Sequence, residues 1–169
     1  MTEELTPASF DERLAAFLAD LFLVRLGAMT LMLAFGAATG FALDARVVAA
    51  AFVALLFPAF AAYHAFFTVR GGATPGKRFM GIAVVGTDGP VSPLRAVLRA
   101  GAYLLSALPL GLGFLWSLKD GAGRAWHDLL AGTAVVRSGP GRRRGRAATL
   151  AALAAVFGLS LISSLLRAP

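Results

Sequence analysis

Cysteine is absent from this 169-residue chain, and charged side chains make up only 15% of it. Without thiols there is no disulfide framework, thiolate zinc site, iron–sulfur cluster or cysteine nucleophile. Soluble proteins carry about 25% charged residues, so the scarcity here excludes a water-soluble globular domain. Acids are the scarcer sign: 9 Asp and Glu face 16 Lys and Arg, which leaves a net charge of +7. No two carboxylates stand at acid–base spacing and no serine has a base and oxyanion context, so the sequence carries no enzyme signature. Histidine occurs only as His64 and His127, on different segments, which is too little for a metal site, and nothing calls for a cofactor.

What is present is apolar. Hydrophobic residues make up 58% of the chain and its mean hydropathy is +0.75, which places several segments in lipid. The pI near 11.3 does not mark a nucleic-acid binder, because the basic residues flank apolar stretches instead of forming an aromatic-laced stripe. Residues 14–38, 47–68 and 147–166 are each long enough to cross a hydrocarbon core about 30 Å thick at about 1.5 Å per helical residue. The first carries Asp20 and Arg25. The second contains Pro58, an expected kink, and ends in an aromatic anchor of Tyr63, Phe66 and Phe67. Glu3, Glu4, Asp11 and Glu12 precede the first run where a secretory signal needs a basic start, so the N-terminus is read as retained.

A fourth stretch, residues 94–118, is broken by Pro109, Gly111 and Gly113. It is flanked by two positive loops, one with Arg70, Lys77 and Arg78, the other with Lys119, Arg124, Arg137, Arg142, Arg143, Arg144 and Arg146. The positive-inside rule asks for both loops to be cytoplasmic, which a hairpin leaving by the side it entered satisfies and a full span does not. Two β-prone runs, residues 81–85 and 132–136, pair only if they share that side. The expected fold is therefore an all-α membrane protein: three transmembrane helices, a re-entrant or interfacial helical hairpin, and a small cytoplasmic β element. Four full spans is the alternative. Residues 1–13 form a cytoplasmic N-terminal segment, 14–137 the membrane domain, 138–146 a basic linker and 147–169 an additional C-terminal transmembrane helix. In that last helix Ala147, Ala151 and Ala155 recur at four-residue spacing, which permits close helix packing.

Few residues in these segments can carry chemistry. Asp20 lies about two turns into the first span, where an ionised carboxylate costs about 2.5–3.5 kcal/mol unless it faces a partner or a wet cavity. Arg25 is about 140° around the helix from it, so Arg99 on the hairpin is the preferred mate. Arg13 shares the face of Asp20, nearly two turns earlier, at the membrane edge. The run Gly71 to Arg78 almost spells a phosphate-binding loop, but Arg78 replaces the hydroxyl that would hold magnesium and no strand precedes it. Lys77 and Arg78 are expected at anionic lipid headgroups beside a Pro-Gly turn. Arg124, His127 and Asp128 form a second polar knot, with Arg124 and Asp128 at helical i, i+4 spacing and the histidine–aspartate pair placed to relay protons or to pin the hairpin exit.

Arg13-Leu14-Ala15-Ala16-Phe17-Leu18-Ala19-Asp20, Thr74-Pro75-Gly76-Lys77-Arg78 continuing to Asp88-Gly89, Arg99, and Arg124-Ala125-Trp126-His127-Asp128 together resemble the RDD family of bacterial membrane proteins. Arg13, Asp20 and Asp128 match the arginine and two aspartates that name it. The resemblance covers roughly residues 10–137 and implies an integral protein of the bacterial inner membrane; the cytoplasmic N-terminus and the outside C-terminus follow from the positive loops and the hairpin. The resemblance also implies transport as a proposed role, with cation/proton antiport reported for some members. Two functions are in view: a small-ion or solute carrier centred on Asp20, or a non-catalytic membrane scaffold or partner-binding module. Three spans and a hairpin are too few to enclose a pathway alone, so a carrier would work as a homo-oligomer. The expected partners are the lipid bilayer and its anionic headgroups, not nucleic acid.

Overall fold

The computed structural model describes residues 6–40 and 44–138, with Leu153 beyond them. The basic linker and, apart from Leu153, the C-terminal apolar stretch lie outside the described residues. Helix α1, Phe10–Ala38, starts one turn earlier than its apolar run, because Glu12 reaches back to accept the Ser9 amide at 2.8 Å and satisfies an end donor the helix cannot pair itself. Helix α2, Ala45–Gly71, is capped by Asp44, which accepts from the Arg46 amide at 2.6 Å, and ends on Gly72 in the left-handed region at φ 67°. It continues as one helix through Pro58. With 29 and 27 residues both exceed the length a bilayer needs, and their outer faces present Leu31, Leu33, Phe35, Val53 and Leu55 exposed, as a lipid-facing surface does.

Gly72 opens a short connection to α3, Pro75–Met80. Thr74 caps it by accepting from the Lys77 amide, and Pro75 fills the first helical position, where a missing N–H costs nothing. Gly76 is a position of forced close approach: a Cβ there would lie 2.4 Å from the Ala16 carbonyl oxygen and 2.8 Å from the Asp20 carboxyl. A side chain at residue 76 would therefore lift α3 off α1.

Strand β1, Ile82–Gly86, follows at once and pairs antiparallel with β2, Thr133–Arg137, in a register from Ile82 opposite Arg137 to Gly86 opposite Thr133. Both strands sit one residue later than the β-prone runs suggest. Residues 6–8 join them along β2: Ala8 donates its amide to the Val135 carbonyl at 2.9 Å, and the Arg137 amide donates to Thr6 at 2.9 Å. Ala15, Ala16, Met80, Ile82, Val84 and Val135 close a small apolar core beneath this element.

Between the strands lies the hairpin. Helices α4, Pro93–Gly101, and α5, Tyr103–Ala107, form one arm; α6, Leu112–Leu115, and the 3-10 turn Trp116–Leu118 form the other, and the two arms meet at 110°. The break falls where Pro109 and the left-handed Gly111, φ 79°, stop the helix. Gly113 lets the returning arm touch the first, since a Cβ there would come within 2.4 Å of Ser106 Cα. Helix α7, Trp126–Ala131, leads into β2. The chain is thus an all-α, multi-pass membrane protein with two clear transmembrane helices, one bent helical pair and a small two-stranded β element.

The strand pairing bears on sidedness, because paired strands share one side of the membrane. Thr87 and Ser138 are exposed at opposite ends of the β element, and the absence of cysteine makes single replacements clean reporters. Thr87→Cys and Ser138→Cys are both expected to react with a membrane-impermeant maleimide from one and the same side of sealed vesicles. Labelling from opposite sides would mean that residues 94–118 cross the bilayer.

Candidate functional site

The structure builds two buried carboxylate clusters and sorts the expected residues between them differently from their sequence spacing. Asp20 on α1 is fully enclosed. Its Oδ1 accepts from the Tyr63 hydroxyl and the Gly76 amide, each at 2.8 Å, and its Oδ2 accepts from the Thr74 hydroxyl at 2.5 Å. The expected pairing with Arg99 is not formed. Neutral donors from α2 and from the α3 turn reach Asp20 first, because Gly76 brings α3 into contact with α1 at that level. Arg25 is half-buried farther along α1.

Arg99 instead serves the other aspartate. Its Nε and Nη2 donate to Asp128 Oδ1 at 2.9 and 2.8 Å, and its Nη1 donates to the Tyr103 hydroxyl at 3.2 Å. Arg13 joins from the start of α1, donating to Asp128 Oδ2 and to the Gly123 carbonyl. The Ala125 amide donates to the same Oδ2 at 3.1 Å, so Asp128 also closes the first turn of α7. Burial disfavours the charged form of Asp128, but the charges of Arg99 and Arg13 and the hydrogen bond from the Ala125 amide outweigh it and hold the carboxyl well below the usual range.

Arg124 is the second departure. Helix α7 begins only at Trp126, so Arg124 and Asp128 are not one helical turn apart, and Arg124 pairs with Asp120 through Nε and Nη2 at 3.1 Å each. His127 also parts from Asp128: its Nε2 stands 3.7 Å from Asp128 Oδ1, beyond hydrogen-bond range, while Nδ1 lies 2.9 Å from the Ser106 hydroxyl. The ring stacks on Tyr103 with centroids 4.3 Å apart. Burial drives its pKa down to about 3 against the pull of Asp128, so the imidazole is neutral at physiological pH.

Arg78 is exposed, in keeping with a surface position, whereas Lys77 is only 5% exposed and turns inward. Lys77 Nζ lies 3.4 Å from His64 Nδ1 and 3.5 Å from the Thr74 hydroxyl. Burial pulls the amine below its ordinary range; Arg99 adds to this, while Tyr103, Asp20 and Asp128 oppose it. Sequence reasoning missed Tyr63, His64, Thr74 and Ser106 as members of these clusters. Only Thr74 left a signal, as a capping residue before Pro75. His64 packs among Phe60, Tyr63 and Tyr103, and its Nε2 has no hydrogen-bond partner among the described residues.

Beside the Asp128 cluster, between the first turns of α1 and the α6 arm, lies a cavity of about 280 Å³. Arg13, Lys77, Arg99 and His127 line its inner wall, and Leu14, Leu110 and Leu115 its exposed rim. Neither Asp20 nor Asp128 lines it. Among the described residues no group of three His, Asp or Glu side chains gathers as a metal site would require.

These elements define an integral membrane domain in which one arginine and two buried aspartates tie the helices together. The sequence model of the RDD family matches residues 7–132, most of the chain, and the protein belongs to that family. No curated protein and no solved structure matches the chain significantly.

Removing one member of the Asp128 cluster orphans buried charge. Asp128→Asn leaves Arg13 and Arg99 without a counter-ion and is expected to destabilise the protein by about 3–5 kcal/mol in thermal denaturation in detergent. His127 contributes a pH dependence of definite sign. Its folded pKa lies below the unfolded value, so the unfolded chain takes up the proton first, and stability falls as pH drops from about 6.5 toward 3. In His127→Gln the loss of stability across that window is expected to be shallower; an unchanged slope would show that His127 ionises freely in the folded protein.

Proposed function

We propose that this protein is a non-catalytic membrane binding module whose N-terminus and β element face the cytoplasm. Asp20 and Asp128 fasten its helices, and the basic cavity beside α1 is its recognition surface. The observation that supports this reading best is the bonding of Asp20. Both oxygens are engaged by three donors from fixed backbone and side-chain positions, and the carboxylate does not line the cavity. A cation-exchanging carboxylate has to shed its donors in each cycle, and a wall carrying Arg13, Lys77 and Arg99 repels cations from the nearest space. Cation/proton antiport centred on Asp20 is therefore the less favoured reading. The oligomer such a carrier requires is not needed by a binding module. The cytoplasmic orientation rests on the basic loops, and residues 147–166 are assigned to a third span on their hydrophobicity.

Reconstitution tests this directly. In liposomes with an imposed pH gradient, the full-length protein is expected to move sodium or potassium no faster than empty vesicles. Asp20→Asn is expected to lower its stability by about 2 kcal/mol, the scale of a lost hydrogen bond to a charged group. Cation flux that Asp20→Asn abolishes at undiminished stability would overturn the proposal in favour of antiport.

A further inference from the structure

The cavity beside α1 is built from two unlike surfaces. Its inner wall is cationic and buried: Arg99 and Lys77 are 2% and 5% exposed. Its rim is apolar and open, and Leu110 at the hairpin tip is 96% exposed. Exposed leucines on the hairpin and on α1 give this rim an apolar surface suited to a hydrocarbon chain.

The inner wall has charge to spare. Arg99 commits three of its donor groups to Asp128 and Tyr103, and Arg13 is held by Asp128 and Gly123. Lys77 has no carboxylate within ion-pair distance among the described residues, only the two long contacts to His64 and Thr74. Thr74 already donates its one hydroxyl proton to Asp20, so toward Lys77 it is an acceptor and leaves the amine its other protons. Arg13, Arg99 and Lys77 thus stand against two carboxylates, Asp20 and Asp128. One positive charge is in excess, and it sits on the group with the weakest partners. A buried cation in that condition is stabilised by a bound anion.

We propose that this cavity binds a single-chain anionic amphiphile taken from the bilayer, its carboxylate or phosphate monoester on Lys77 and Arg13 and its hydrocarbon chain leaving past Leu14, Leu110 and Leu115. This rests on the reading of the chain as a binding module and names its ligand class. A volume of about 280 Å³ accommodates a headgroup and the first part of one chain, and the open rim lets the remainder lie among lipid tails. A free water-borne anion would use the same cationic wall but gain nothing from the leucine rim. A neutral lipid would gain the rim but leave Lys77 unpaired.

The test uses the full-length protein in neutral maltoside micelles, titrated separately with oleate, a long-chain alkyl phosphate, oleyl alcohol and inorganic phosphate, with stoichiometry and affinity read by native mass spectrometry. One equivalent of either anionic amphiphile is expected to bind, at least about tenfold more tightly than the alcohol or the inorganic ion. Lys77→Met removes the charge while keeping a flexible apolar stem and is expected to weaken amphiphile binding by about tenfold or more without lowering Tm. Leu110→Glu, at a site so exposed that folding is not at stake, is expected to weaken the two amphiphiles and leave inorganic phosphate unchanged. Inorganic phosphate binding as tightly as the alkyl phosphate would overturn the lipid source, oleyl alcohol binding as tightly as oleate would overturn the role of charge, and no saturable binding of any of the four probes would overturn the anionic amphiphile as the ligand of this cavity. Any of these leaves the binding-module reading intact, whereas that reading fails separately, by cation flux in liposomes.

Discussion

The Asp128 carboxylate accepts from Arg13, near the beginning of the domain, and from Arg99 on the hairpin, while its own helix leads into β2. In water such an ion triad would contribute little, because each member could be solvated separately. Here Arg99 and Asp128 are buried and Arg13 is partly so, and the cost of leaving the buried charges alone exceeds what the triad gains by forming. That asymmetry makes it a specificity device. An arrangement of α4 and α7 that separates Arg99 from Asp128 leaves a buried charge unpaired.

The second carboxylate is handled by a different chemistry. Asp20 is satisfied by a phenol, a hydroxyl and a backbone amide, with no formal counter-ion bonded to it. Phe17, Phe60, Tyr103 and Phe114 pack together, with ring centroids of contacting pairs 5.4 to 6.0 Å apart. Such an apolar packing keeps the local dielectric low, which strengthens neighbouring buried hydrogen bonds and raises the penalty for breaking them. Tyr103 joins this aromatic packing to the Asp128 cluster: its ring stacks on His127 and its hydroxyl accepts from Arg99.

The spans, the hairpin break and the strand pairing are legible in the sequence because each rests on a local rule. Apolar length marks α1 and α2, Pro109 with Gly111 marks the bend, and β-branched runs mark the strands. The importance of Arg13, Asp20, Arg99 and Asp128 is also legible, since charge in an apolar segment has to be explained. Their pairing is not. Which arginine meets which aspartate depends on how closely α3 approaches α1, and that is set by the missing side chain of Gly76, whose spacing pattern says only that a turn is present. Arg124 departs from its spacing because α7 starts at Trp126, two residues too late for the i, i+4 relation to apply. A place in a basic loop argues for Lys77 at the surface, whereas Thr74 and Pro75 start a helix that carries it inward.

The edge contact of residues 6–8 with β2 bears on how the molecule is made. Thr6 and Ala8 bond to Arg137 and Val135, well over a hundred residues later in the chain. A ribosome delivers the early residues first, so α1 enters the bilayer with its leading segment and Arg13 still without their partners. Both are secured only by elements made after the hairpin, Arg13 by Asp128 and residues 6–8 by β2. The domain therefore closes like a belt, with the buckle at the far end of its synthesis. Until β2 emerges, the nascent chain holds two inserted helices and an unlatched hairpin, and the Asp20 contacts, which need nothing beyond residue 76, are already available to hold α1, α2 and α3 together.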